Sequence, residues 1–257
     1  MPAMKCAAVA LILSTSAVAA QTSCLSAPYD ADPEGPKAEL ARLAGDLAPA
    51  LVEFPSIAEA FEATAPDLCM AAQLDGAEGF YDPDANRIVL RRGNPDALNL
   101  AVLLHELRHV EQAARGFCPS TDLAMKENAR ASWAAEADAS TVTLIIAWAL
   151  REKGRPEAWD ALLSWPPQSD ITARFGQVMQ RTGDVEAAAA GAFDQWYASA
   201  ERREAYYIAS CSEYLDRLED AAVPPGYDSL PDDFFARLCV LPGGAPFDCA
   251  EPDLPRR

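Results

Sequence analysis

The run Leu103-Leu104-His105-Glu106-Leu107-Arg108-His109 decides how this chain is read. It lies in a helix predicted from about Asn94 to Arg115. Asn94 can cap the start, Pro95 suits the first helical position, Leu98, Val102 and Leu103 mark an apolar face, and Gly116 ends the run. Residues four apart on a helix stand one turn above each other, so the imidazoles of His105 and His109 can reach one ion. Zinc takes such nitrogens at about 2.0–2.1 Å, and a catalytic zinc keeps three protein ligands plus water. Glu106 is then held beside that water, where it takes the proton as the water attacks a polarised carbonyl. The chain has two histidines, and both fall inside this run. The plainer reading is a solvated helix face on which Arg108 and Glu111 pair along the surface.

With no third histidine, the third ligand is a carboxylate or a cysteine. Arg115 and Gln112 stand where an extended three-histidine pattern needs its last histidine and a glycine. Glu136 is the first candidate: it lies in Trp133-Ala134-Ala135-Glu136-Ala137-Asp138-Ala139, on a long apolar helix where an inward charge needs a partner. Asp138 is the next candidate ligand, with orientation of a histidine as its other role. Glu111 and Glu127 come after these, and Cys118 is assigned to a disulfide. A two-iron carboxylate site needs two Glu-x-x-His units. Glu106-Leu107-Arg108-His109 is one, and no histidine remains for a second.

Outward from this run the pattern is predominantly helical, an α+β chain with one small β region. Leu40, Leu43, Leu47 and Leu51 give helical spacing over Pro36 to Val52, and Ile57 to Ala63 suggests another helix. Glu78–Tyr81 and Arg87–Leu90 flank Asp82-Pro83-Asp84-Ala85-Asn86 as a hairpin, with a third strand within Cys69 to Leu74. A long helix is predicted from about Ser120 to Glu152. Beyond it come a Trp-rich stretch broken by Pro166-Pro167, a helical run over Val185 to Glu219, and a Pro-, Gly- and Asp-rich end under disulfide restraint.

The 257 residues are 50% hydrophobic and 23% charged, which fits a folded domain rather than a disordered chain or fibre. A net charge of −18 argues against nucleic acid and anionic membranes as partners. Lys5, the apolar run Ala7 to Leu13 and Ala17-Val18-Ala19-Ala20 read as a signal peptide over residues 1–20, leaving a single domain over 21–257. No later stretch approaches the roughly 20 apolar residues of a membrane span. Cys24, Cys69, Cys118, Cys211, Cys239 and Cys249 remain after that cut and are expected to form three disulfides, Cys239–Cys249 among them across a Pro-Gly-Gly turn.

His105, Glu106, His109 and Glu136, with the Ala-Asp-Ala continuation, resemble the zincin metallopeptidases. The resemblance is to the branch with a glutamate third ligand, and within it to exported bacterial metallopeptidase domains. It covers residues 78–150. It implies a zincin-like fold in which His105, His109 and Glu136 bind one zinc and Glu106 is the general base. It also implies that the strand Arg87 to Leu90 is an edge that pairs with an extended peptide or protein substrate. The oxyanion needs a donor, and Tyr197, Arg203, Tyr206 and Tyr207 are the candidates, with aromatic packing as the tyrosines' alternative role. The expected activity is zinc-dependent peptide-bond hydrolysis outside the cytoplasm. The competing expectation is a catalytically silent zincin-like binding protein, against which the retained Glu106 argues.

Overall fold

The computed structural model describes residues 22–252 apart from 33, 34, 36, 75 and 119; the proposed signal peptide lies outside the described residues. Thirteen elements follow in order among them: β1 (Ser23–Leu25), α1 (Ala38–Leu51), α2 (Pro55–Thr64), β2 (Asp67–Ala71), β3 (Gly79–Asp82), β4 (Arg87–Arg91), α3 (Asp96–Ala114), α4 (Met125–Glu152), α5 (Glu157–Ser164), α6 (Pro166–Thr182), α7 (Val185–Ala198), α8 (Ala200–Ala221) and α9 (Phe234–Leu238). Among the described residues the protein is mostly helical with a small mixed sheet and two disulfides, and no described helix is long and apolar enough to cross a membrane.

The sheet order is β1-β2-β4-β3. β2 pairs antiparallel with β1 and parallel with β4, and β3 pairs antiparallel with β4. The expected hairpin is therefore present, but β4 is not an edge: β2 occupies its other side, and the edge strands are β1 and β3. Alternation gives the sheet two apolar faces. Leu68, Met70, Ile88 and Leu90 enter the main core, while Cys69, Ala71 and Val89 turn to a small cluster with Cys24. The Cys24–Cys69 disulfide ties β1 to β2 within that cluster.

Three element boundaries depart from the periodicity reading, each because a local bond wins. Asn94 does not cap α3; its amide donates to Glu78 and Asn99, and Pro95 occupies the cap position. α4 begins at Met125 rather than near Ser120, because residues 121–124 pair with the C-terminal tail. Gly226 and Asp228 donate backbone bonds to Thr121 and Asp122, and Ala124 donates to Asp228. The run Val185 to Glu219 breaks at Ser199, whose extended backbone starts a new helix and whose Oγ accepts the Arg202 N–H.

The cysteine expectation is half right. Cys239–Cys249 forms and closes the C-terminal turn, but Cys118 and Cys211 are free. Cys118 sits exposed in the α3–α4 connection and Cys211 lies on α8, so the third disulfide, and the assignment of Cys118 to it, fails.

Candidate metal centre

α3 projects His105 and His109 from one face, and the neighbouring α4 brings Glu136 to them. The two Nε2 atoms are 3.2 Å apart, with Glu136 Oε2 3.4 Å from His105 Nε2 and Oε1 3.3 Å from His109 Nε2. Two bonds of about 2.05 Å at a tetrahedral angle place their donor atoms roughly 3.3 Å apart. The donor set, two imidazoles and a carboxylate at that spacing, could hold a metal ion.

The electrostatics are those of a concentrated charge pair. Burial opposes protonation of His109, but the Glu136 carboxylate outweighs it, with help from Glu106 and Gln112, and raises its pKa to about 9. Glu136 is partly buried, which tends to raise its pKa, yet the histidines hold it well below the usual carboxylate range. Glu106 is also buried, and desolvation pushes its pKa up against the pull of His105 and His109. The backbone N–H of Tyr81 on β3 hydrogen-bonds Glu106. Arg91 N–H bonds Glu78 O, so the outward amides and carbonyls of β3 belong to Gly79 and Tyr81. The β3 edge of the sheet thus runs beside the carboxylate.

The other candidates separate cleanly. Tyr206 alone of the four proposed oxyanion donors reaches the centre: its hydroxyl hydrogen-bonds Glu136, whose charge, with burial, raises the phenol well above its ordinary pKa and keeps it a donor. Tyr197 is buried in the core with its hydroxyl unpartnered, Tyr207 lies exposed against Trp133, and Arg203 donates to the Tyr197 carbonyl. Asp138 does not touch the histidines. Its carboxylate accepts from Arg108 at 2.7 and 3.0 Å and from Gln112 at 2.7 Å. Glu111 pairs with Arg108 and Glu127 with Arg130, so neither turns to the centre. The Arg108–Glu111 pair seen in the sequence does form, but it is buried, not solvated.

Gln112 escaped the sequence reading. Its Oε1 lies 2.7 Å from His109 Nδ1. The spacing of three from His109 was the available signal.

A model of the family described as "Putative metallopeptidase family (DUF6782)" matches residues 17–249. The chain belongs to that metallopeptidase family. Membership implies a metal ion and a hydrolase of peptide bonds, and His105, His109 and Glu136 form a cluster suited to such an ion. No curated protein and no solved structure matches the chain.

Proposed function

We propose that this metallopeptidase-family protein is a zincin-like, zinc-dependent peptide hydrolase of the glutamate-ligand type, acting outside the cytoplasm. The observation that carries the reading is the close convergence of His105 Nε2, His109 Nε2 and the Glu136 carboxylate, one oxygen facing each imidazole, with Glu106 next to the first ligand. When bound, zinc polarises the scissile carbonyl and makes water easier to deprotonate.

The chain's own groups supply the rest. Glu106, steadied by the Tyr81 N–H, takes the proton of the attacking water and delivers it to the leaving amine. Tyr206, whose one O–H proton rests on Glu136, would turn that proton to the carbonyl oxygen as negative charge develops there. The unpaired edge of β3 offers the Gly79 amide and carbonyl and the Tyr81 carbonyl to an extended peptide. Export rests on the signal-like residues 1–20, a single domain follows over 21–257, and the two disulfides support an oxidising compartment.

Purified protein is expected to hold one zinc per chain by elemental analysis. Glu106→Gln is expected to keep that zinc and to lose about 10²–10⁴-fold in cleavage of a peptide library. Absence of bound zinc at neutral pH would sink the site. Zinc without cleavage of any peptide by the wild type would transfer the chain to the silent binding class.

A further inference from the structure

Gln112 is almost fully buried beside His109, and its amide has a single self-consistent orientation. The nitrogen donates to Ala135 O at 2.9 Å and to Asp138 Oδ2 at 2.7 Å. These two acceptors flank Glu136 in the sequence of α4. A flipped amide would set its oxygen against a carbonyl and a carboxylate. The Gln112 oxygen must therefore face His109 Nδ1, 2.7 Å away, and accept from it. An imidazole that donates from Nδ1 keeps Nε2 for the ion, and Nε2 is the atom that meets His105 and Glu136.

The far end of this chain of bonds is fixed too. Asp138 receives the forked guanidinium of Arg108, which also donates to Leu238 O at 3.3 Å and Val240 O at 2.9 Å. Those carbonyls flank Cys239, which is bonded to Cys249. Five polar stations, from a disulfide-closed turn to an imidazole, leave Gln112 little freedom.

We propose that Gln112 is the positioning residue of the metal centre. It presents His109 through Nε2, and Asp138 acts on the histidine only through it. The inference rests on the zinc reading above. Gln112 has two separable duties: its oxygen serves His109, and its nitrogen serves α4.

The test uses the full chain and zinc, titrated against a chromophoric chelator, with thermal unfolding of the metal-free protein alongside. Gln112→Met removes both duties, and zinc affinity is expected to fall about 10–100-fold. Gln112→Glu keeps an oxygen for His109 but turns a second carboxylate on Asp138. It is expected to recover affinity to within a few-fold of wild type while unfolding at least as early as Gln112→Met. If Gln112 merely packed α3 on α4, affinity would instead follow stability across both variants, and the proposal would be overturned.

With two histidines in the chain, the ¹⁵N side-chain spectrum of the zinc-loaded protein gives a second readout that survives poor folding of either variant. His109 is expected to show a slowly exchanging Nδ1–H and a metal-shifted Nε2; coordination through Nδ1 would overturn the proposal. Zinc bound equally well by wild type and Gln112→Met refutes the role of Gln112 alone. A wild type that binds no zinc refutes the metal centre itself and the positioning role with it.

Discussion

Two buried helix pairs in this protein are joined in opposite ways. α6 and α7 pack without a buried charge between them: Gly191 of α7 lies against Val178 and Arg174 of α6, and Ile171, Phe175, Ala188, Ala189 and Ala192 are buried. A Cβ on Gly191 would stand 3.3 Å from Val178 Cγ2, so the small residues set how closely the helices approach. α3 and α4 are also buried, but Glu106, Arg108, Glu111, Gln112 and Asp138 lie between or beside them. An apolar contact tolerates small slides at modest cost. A directional set of ionic bonds does not, because one slide breaks several at once. Buried ion pairs seldom add net stability over apolar packing. Their confinement, among the described residues, to the ligand-bearing pair indicates that geometry, rather than stability, is what they secure.

That contrast can be broken, most severely at its centre. Replacing Arg108 by Met leaves Asp138 and Glu111 buried without their cation, and a loss of about 3–5 kcal/mol is expected in urea unfolding, together with weakened zinc binding. Unchanged stability would mean that the network is ornamental and the two pairs are alike. Ile171→Val on α6 is expected to cost about 1 kcal/mol in the same assay while zinc affinity stays at the wild-type value. A parallel drop in affinity would show that the apolar pair also sets the centre.

The smallest effect concerns Asp170, at the rim of the apolar pair. It accepts from Gln195 at 2.9 Å and Arg202 at 2.6 Å. Burial tends to raise its pKa, but these partners prevail and lower it. A lowered carboxylate contributes stability above its unfolded value of about 3.9, and that contribution fades as pH falls through the folded value. Asp170→Asn is therefore expected to lower the melting temperature at neutral pH by the equivalent of less than about 1 kcal/mol, and the gap to wild type is expected to close in acid. A gap that widened in acid would contradict the assigned direction.

What could be read from residue order was what depends on near neighbours. The convergence of His105 and His109 is a property of one helix turn, and Glu106 follows from it. Glu136 was marked by a charge among alanines, a weaker cue that still located the residue facing both imidazoles. Asp138 was placed near a histidine, but the intervening Gln112 stayed hidden because its partners, Ala135 and Asp138, lie on another helix. Tyr206 could not be separated from Tyr197 and Tyr207 because the choice depends on the break at Ser199, which sets where α8 points. Sheet order had no local signal either: the parallel β2–β4 contact that buries the expected edge joins segments about 20 residues apart.

Gly226 has one further consequence. A Cβ there would lie 2.0 Å from the Asp122 carbonyl, so the tail crosses the α3–α4 connection at backbone contact, secured by Tyr214 Oη to the Leu123 carbonyl at 2.9 Å. A lone loop is a hinge; a loop with a second strand of chain lashed across it is a brace. The jaws that carry the two histidines and the glutamate are thus clamped from outside as well as joined from within, and the width of their gap is a property of the whole chain from the third helix to the last turn.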